Sequence, residues 1–358
     1  MTDHERLIGL GSIENLNYPT LKKLVSQFGN LEKVCSASEE ELTGTGLVTA
    51  AMAGHIIYRS RPDAAGKLMD LMDKTDMQCV TLGGSGYPRR LTELYDPPLA
   101  LYYKGVLPPD DTFSMAVIGA RKCTAHGFQT AKVLSRGIAS AGFVIVSGMA
   151  RGIDCAAHMG ALELEKPTVA VLGSGADVCY PRENMEIYYA IQSCGCVISE
   201  LPPGTPPVGR NFPKRNRIIA ALSNGIVMVE AKKSSGSQIT VDQGLSLGKD
   251  IYAVPGRVDD PLSEGCNALI RDGARLVTCA DDILEEYNMQ AQLIKKTGMT
   301  LDNSEKLVYA SICLVPRSAD ELSERTGLSV SRISQILISL QMKGAVKQIG
   351  KNQFILNL

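Results

Sequence analysis

Phe143-Val-Ile-Val-Ser-Gly-Met-Ala-Arg-Gly-Ile-Asp154 decides the reading of the fold. Its first four residues form an unbroken apolar run of strand length. A turn of small residues and one arginine follows, and then a helical segment opens. A strand buried on both faces reads as a continuous apolar run, because neither face meets water. Comparable runs stand at 115–118, 168–172, 197–199, 226–229, 251–254 and 275–277. Between them lie stretches with helical apolar spacing, such as Val133, Leu134 and Ile138, or Leu245 and Leu247. Buried strands joined by helical crossovers predict a doubly wound, mostly parallel α/β sheet over residues 113–288. Ligands of such sheets bind beyond the carboxyl ends of the strands. The sequence places Gly119-Ala-Arg121, Ser147-Gly148, Gly173-Ser-Gly175, Glu200 and Glu230 at those ends.

The chain of 358 residues is long enough for two or three domains. No apolar run approaches the ~18 residues of a membrane span, and the N-terminus lacks a signal-peptide pattern. Ten cysteines are scattered, with Cys194 and Cys196 the closest pair. Neither a disulfide framework nor a zinc site is suggested, which predicts a cytoplasmic protein whose cysteines act as small hydrophobes. A formal net charge of −1 leaves nucleic-acid binding to local basic patches.

Residues 1–75 read as helical. Leu21, Leu24, Val25 and Phe28 form one apolar face, ended by Gly29-Asn30, and Ser38-Glu-Glu-Glu41 is a capping-box match. Leu42-Thr-Gly-Thr-Gly46 reads equally as a helix-hairpin-helix turn that touches phosphate or as a plain packed turn. Residues 76–112 form a connector rich in glycine and proline, with a short edge strand at 99–103. A polar linker over 289–303 leads to a winged helix over 304–358. Its helices are expected at 305–312, 319–326 and 330–342, and its strands at 345–349 and 353–356 around Gly350-Lys-Asn352. Val330, Ile333, Leu337 and Leu340 are the expected core stripe of the third helix.

The strongest local anomaly is Arg210-Asn-Phe-Pro-Lys-Arg-Asn-Arg-Ile-Ile-Ala-Ala-Leu222, with four cations in eight positions. Pro213 suits a first helical position. Lys214, Arg215 and Arg217 then occupy the first turn, where the macrodipole costs each cation ~0.3–1 kcal/mol. That arrangement points to a bound anion. Glycine- and serine-rich helix openings at Ser147-Gly-Met-Ala-Arg151-Gly152 and Ser234-Ser-Gly-Ser237-Gln-Ile-Thr240 add candidate phosphate sites, and Gly119-Ala-Arg121 adds a guanidinium. Several phosphate sites along one sheet edge fit a strand of nucleic acid better than a mononucleotide. Phe212 either stacks an unpaired base or staples the helix start to the sheet. Arg215 projects toward the apolar side with Ile218, Ile219 and Leu222, which suggests an anchor paired by Glu200 or Glu230. Phosphate contact is therefore assigned more firmly to Lys214 and Arg217.

Enzymatic readings find little apparatus. Gly173-x-Gly175-x-x-Val178 lacks the third glycine of a dinucleotide fingerprint. Gly244-x-x-x-Gly248-Lys249-Asp250 is one residue short of a P-loop and lacks its hydroxyl. Ser147 has no Gly-x-Ser-x-Gly elbow. Asp154 and His158 share a helix face, where helix packing is the favoured role for His158. No cofactor, metal or catalytic residue is expected.

Gly119-x-Arg121, Ser147-Gly-Met-Ala-Arg-Gly-Ile-Asp154, Tyr180-Pro181, Phe212-Pro-Lys-Arg-Asn-Arg-Ile-Ile219, Ser235-Gly-Ser237, Pro255-Gly256 and Gly265-x-Asn267-x-Leu-Ile270 together resemble the DprA (Smf) family of DNA-processing proteins. The match is dense over roughly 80–285. The resemblance implies an extended Rossmann-like fold with an N-terminal helix-hairpin-helix or SAM-like domain and a C-terminal winged helix. It implies a homodimer formed through the Rossmann-like domain, which binds single-stranded DNA and loads the RecA recombinase in natural transformation. Its DNA pocket, carried across, falls on Arg121, the Ser147–Gly148 turn, Phe212, Lys214, Arg215 and Arg217. Gly119, Arg151, Asn216 and Ser237 complete the expected set. The family usually has Gly-Ser-Arg where this chain has Gly119-Ala120-Arg121, which removes one phosphate donor, and Ala221 stands where glycine is usual. Two other readings differ in class. A related Rossmann-like group cleaves nucleoside monophosphates through a Pro-Gly-Gly-x-Gly-Thr motif and a nearby glutamate, neither of which Ser235-Gly-Ser-Gln-Ile-Thr240 offers. A transcription regulator acting through 304–358 would bind duplex tightly by that domain alone.

Overall fold

The computed structural model describes residues 1–289, 302–312, 317–343, 345–349 and 352–356. It divides into two compact units, Met1–Gln292 and Leu293–Leu358. Most of the expected linker, at 290–301, lies outside the described residues, as do Gly350 and Lys351 of the expected wing turn.

The first unit opens with six helices, α1 (Asp3–Gly11), α2 (Tyr18–Phe28), α3 (Leu31–Ser36), α4 (Glu39–Gly44), α5 (Ala50–Arg59) and α6 (Pro62–Lys74). Five start on a polar side chain that accepts an otherwise unpaired amide: Thr2, Asn17, Asn30, Ser38 and Thr49. The expected capping box is present, with the Glu41 amide 3.2 Å from Ser38 Oγ and the Ser38 amide 2.8 Å from the Glu41 carboxylate. Leu10, Leu24, Leu42 and Ile56 form the core of this layer.

A nine-stranded sheet follows. Its strands are β1 (Gln78–Thr81), β2 (Ala100–Gly105), β3 (Ser114–Ile118), β4 (Val144–Ser147), β5 (Thr168–Val171), β6 (Cys196–Ser199), β7 (Gly225–Met228), β8 (Asp250–Ala253) and β9 (Arg275–Leu276). The order is β1-β2-β6-β5-β4-β3-β7-β8-β9. β3 to β9 are parallel, while β2 runs antiparallel to β6 and β1. The 76–112 segment is thus more than a connector. It supplies two strands, and the expected edge strand is second from the edge. Gln78-Cys-Val-Thr81 is too short and mixed for periodicity to reveal it.

Crossover helices α7 (Ala125–Ser140), α8 (Ile153–Leu162), α9 (Met185–Cys194), α10 (Asn211–Leu222), α11 (Gly236–Ser246), α12 (Glu264–Arg271) and α13 (Asp281–Leu284) cover both faces. Along β3, Ala116 and Ile118 pack with Ile218 and Ile219 of α10, while Met115 and Val117 pack with Leu134 of α7 and Ala157 of α8. This two-sided burial is why the strands read as unbroken apolar runs. Ile8 of α1 and Leu68 and Met72 of α6 join Tyr102, Ala170 and Val197 of the sheet in a third cluster. The N-terminal helices therefore share a core with the sheet.

The second unit holds α14 (Asn303–Ser311), α15 (Ala319–Thr326) and α16 (Val330–Met342) with β10 (Arg317–Ser318), β11 (Val346–Ile349) and β12 (Gln353–Leu356), ordered β10-β12-β11. This is a winged helix, with β10 an addition to the expected pair. Its core stripe on α16 is Ile333, Ile336, Leu337 and Leu340. Val330, expected in that stripe, is 43% exposed because it occupies the first position of the helix and projects beyond the core. Glu305 is buried against Lys343 and Ser339, whose hydrogen bonds lower its carboxyl to about 2.

Candidate nucleic-acid interface

Strand order reverses at β3, which has β4 on one side and β7 on the other. The loops after β3 and β7 diverge there, leaving a crevice at the carboxyl ends. It is a cleft of about 490 Å³, bordered by Gly119, Arg121, Asp154, Tyr180, Phe212, Arg215, Asn216 and Ser237.

α10 forms one wall. It begins at Asn211, so Pro213 is its third residue where the first was expected. The cost is nil, since the first four helical amides have no partner within the helix. Phe212 packs over Gly173, where a Cβ would lie 2.8 Å from its Cδ1. Its ring centroid is 5.7 Å from that of Tyr180, and the Arg121 guanidinium lies 5.3 Å from the same ring. Phe212 is thus half-buried, steadied by an aromatic neighbour and a cation. Arg121 is exposed, at the end of β3.

Arg215 does something different. It is 4% exposed, and its Nη1 donates to the Gly148 carbonyl at 2.8 Å and to the Val171 carbonyl. Burial lowers its pKa to about 10, against the favourable field of Asp154. The anchoring role inferred from its side of the helix is present, but its partners are neither Glu200 nor Glu230. Glu230 accepts the amide and hydroxyl of Thr124 at 2.8 and 2.6 Å, capping α7. Glu200 is held by Arg217 at 2.6 Å.

The opening of α8, expected as a phosphate site, contains its own anion. Asp154 accepts the amides of Gly148 at 3.2 Å and Ala150 at 3.3 Å. Burial raises its pKa, while Arg215 and those two amides hold it down. Ser147 is fully buried, with its hydroxyl donating to the Val117 carbonyl at 2.6 Å, and Gly148 is buried beneath the Arg215 guanidinium. Neither Ser147 nor Gly148 presents a free donor to the cleft. Gly152 adopts φ +72°, and a Cβ there would collide with the Ala120 carbonyl.

The remaining expected residues separate. Asn216 ties α10 to α11 through the Gly236 carbonyl at 3.3 Å, and the Ser237 hydroxyl is 2.7 Å from that of Ser235. Arg151 is exposed but engaged by Glu183 through both Nε and Nη2. Arg217 is 12% exposed, between Glu200 and Asp96, the latter at 3.8 Å. Its charge is already matched, which sequence spacing does not reveal. Lys214 is exposed and makes no ion pair among the described residues. Arg210 is exposed and pairs with Glu14 at 2.5 Å. Lys214, Arg217 and Arg210 border a second cleft, of about 510 Å³.

Spacing arguments missed Lys122, beside Arg121, and Lys232-Lys233, on the loop that carries Ser235. All three are exposed. The doublet immediately ahead of a serine-rich helix opening was their signal. Tyr180, quoted only as part of a motif, borders the cleft directly. His158 is fully buried with Nδ1 2.7 Å from Thr168 Oγ1, which is a packing role. Among the described residues no cluster of His, Cys, Asp and Glu would hold a metal ion, and no helix is long and apolar enough to cross a membrane.

The family model of DNA recombination-mediator protein A matches residues 78–288, which include every side chain bordering this cleft. The chain belongs to that family. A DprA winged helix domain model matches residues 292–350. The chain is 44% identical over 201 residues to the DNA processing protein DprA of Streptococcus pneumoniae, a match spanning 56% of this chain and 71% of the relative. The X-ray structure of the Streptococcus pneumoniae protein superposes with a TM-score of 0.68 at 33% identity, covering 80% of this chain and 98% of that one. DNA processing protein A from Helicobacter pylori, whose structure describes a single-stranded DNA binding mode, superposes with a TM-score of 0.54 at 30% identity. That match covers 60% of this chain and 97% of the other.

Proposed function

We propose that the protein binds single-stranded DNA in the cleft between β3 and β7, as a non-catalytic step of DNA processing. The observation that carries this is the stack of Arg121 over Phe212 in an open crevice. A cation for a phosphate and a ring for a base stand within one nucleotide of each other. Exposed Lys122, Lys232 and Lys233 extend the positive rim, and Lys214 continues it over the start of α10. Asn216 and Ser237 sit beside the rim as polar contacts, and Gly119 lets the end of β3 close against Ile153 and the Glu230 carbonyl, where a Cβ would lie 2.8 and 2.7 Å away. The Helicobacter pylori relative's single-stranded DNA binding supports the assignment.

On this reading the chain acts in the cytoplasm as a homodimer formed through the Rossmann-like domain. It protects incoming strand and delivers it to the RecA recombinase in natural transformation. The work is presentation of strand, with no bond made or broken. A salt series with single- and double-stranded oligonucleotides tests the binding step. Single-strand affinity is expected to fall with salt at a log–log slope of about −0.7 per phosphate neutralised, with duplex bound more weakly. A slope near zero, or duplex bound as tightly, would overturn the reading.

A further inference from the structure

Apart from Lys214 on its border, the second cleft plays no part in that reading, and its chemistry differs from the first. It lies between the segment after α1, the turn at 96–99 and α10. α10 divides the two clefts. Phe212 and Asn216 border one, and Arg210 and unpaired Lys214 border the other.

Charge inside the clefts is set differently. The first presents Arg121 and Arg215 against a single carboxylate, Asp154, which its own loop amides already occupy. The second sets three carboxylates, Glu14, Asp96 and Glu200, against three cations, Arg210, Lys214 and Arg217, of which Arg210 and Arg217 are already paired and Lys214 is left for a phosphate. Its buried cation, Arg217, is engaged through Nη2 by Glu200, a residue with only 11% of its side chain exposed. Nε and Nη1 of Arg217 are buried and donate to no group among the described residues. Two orphan donors next to a mostly buried carboxylate are the complement of a group that offers acceptor and donor side by side. The edge of an unpaired nucleobase does so, and a phosphate does not. Leu16, Leu99, Pro202 and Val208 supply apolar wall for the ring.

We propose that this second cleft takes a base of the same single strand, edge-on to Arg217 and Glu200, with a neighbouring phosphate on Lys214. The inference rests on the single-strand reading of the first cleft. It also assigns the source of any base preference, because phosphate contacts carry no sequence information.

The test uses the full chain and fluorescence-anisotropy titrations with oligonucleotides of about 4 and about 12 nucleotides, the lower and upper part of common single-strand site sizes. Val208→Trp fills the cleft from its rim. It is expected to weaken the longer oligonucleotide about tenfold, the value of one base contact, while the shorter one binds as before. Glu200→Gln keeps the side-chain volume and is expected to equalise affinities for long homopolymers of different bases. It serves as the second variant if Val208→Trp melts early. Unchanged long-strand affinity in Val208→Trp, or homopolymer preferences untouched by Glu200→Gln, overturns the proposal. Failure of the parent reading shows separately: Arg121→Ala would then leave the short oligonucleotide unaffected, and both readings fall.

Discussion

Four cations between 210 and 217 look alike in sequence, yet each has its own fate. Arg215 is swallowed by the sheet, Arg217 is neutralised by Glu200 and Asp96, Arg210 pairs with Glu14, and Lys214 stays open to solvent. The contrast predicts two different mutant phenotypes. Arg121→Ala removes an exposed cation, so the fold should hold. Single-strand affinity should drop by about tenfold for all sequences alike, with the salt slope shallower by about 0.7. Arg215→Met instead strands the carbonyls of Gly148 and Val171 and leaves Asp154 uncompensated. Losing one side of a buried charged network costs about 3–5 kcal/mol, so its denaturant midpoint should fall steeply, with binding lost only as the fold goes. A stable Arg215→Met protein with selectively impaired binding would move Arg215 from the frame to the interface. His158 gives a pH signature. Burial lowers it from 6.5 to about 3, so the unfolded chain takes up a proton in that window and the folded chain does not. Stability is complete above pH ~6.5 and falls by up to about 1.4 kcal/mol per unit as pH drops toward 3. Asp154 opposes this, since its raised carboxyl pKa favours the fold below its unfolded value and loses that contribution as pH rises through the folded one. His158→Gln should flatten stability against pH between 6 and 4, read from urea midpoints.

At the level of elements, the parallel strands were legible because both faces are buried, and the alternation of runs and helical spacing sufficed to place β3 to β8 within a residue or two. β1 and β10 were not, since Gln78-Cys-Val-Thr81 mixes polar and apolar residues and Arg317-Ser318 is polar, so neither forms an apolar run. The helix openings show a subtler limit. Glycine, serine and arginine before α8 advertise an anion site, and the structure honours the rule with Asp154, one residue inside the helix, as the anion. Composition shows that amides are on offer and says nothing about which carboxylate arrives first. The side of α10 on which Arg215 lies was readable from helical angles, whereas its carbonyl partners depend on the stacking of β4, β5 and α10. Phe212 depends on that stacking too. Gly173, at the end of β5, leaves room for its ring. Gly173→Ala should push the ring toward the cleft without disturbing the sheet. A several-fold loss of single-strand affinity with an unchanged melting temperature is expected, about the size of a disturbed base stack. Unaltered affinity would mean that Phe212 only staples the helix to the sheet.

Across the whole molecule, the boundary near residue 75 separates element types but not cores. Ile8, Leu68 and Met72 from the helices pack with Tyr102, Ala170 and Val197 from the sheet, and Tyr102 is fully buried there. A sequence reader sees helices give way to strands and places a domain border, because nothing in one-dimensional periodicity reports which apolar faces meet. The second unit has its own core, built on Leu322, Ile333, Leu337 and Leu340. Truncation should therefore be asymmetric. A chain of residues 1–292 retains every contact of the first unit, so it should unfold with the midpoint and m-value of that unit in the full chain. A chain of residues 76–358 exposes the third apolar cluster of the sheet. Uncovering buried aliphatic and aromatic side chains costs about 1.5–3 kcal/mol each, comparable with the whole stability of a domain. It should show a collapsed midpoint, dye binding typical of exposed apolar surface, and loss of the cleft between β3 and β7 proposed to bind single strand, whose frame is the same sheet. If the 76–358 chain instead melts like the full protein, the shared core contributes far less than its burial implies, and the helices act as an independent module.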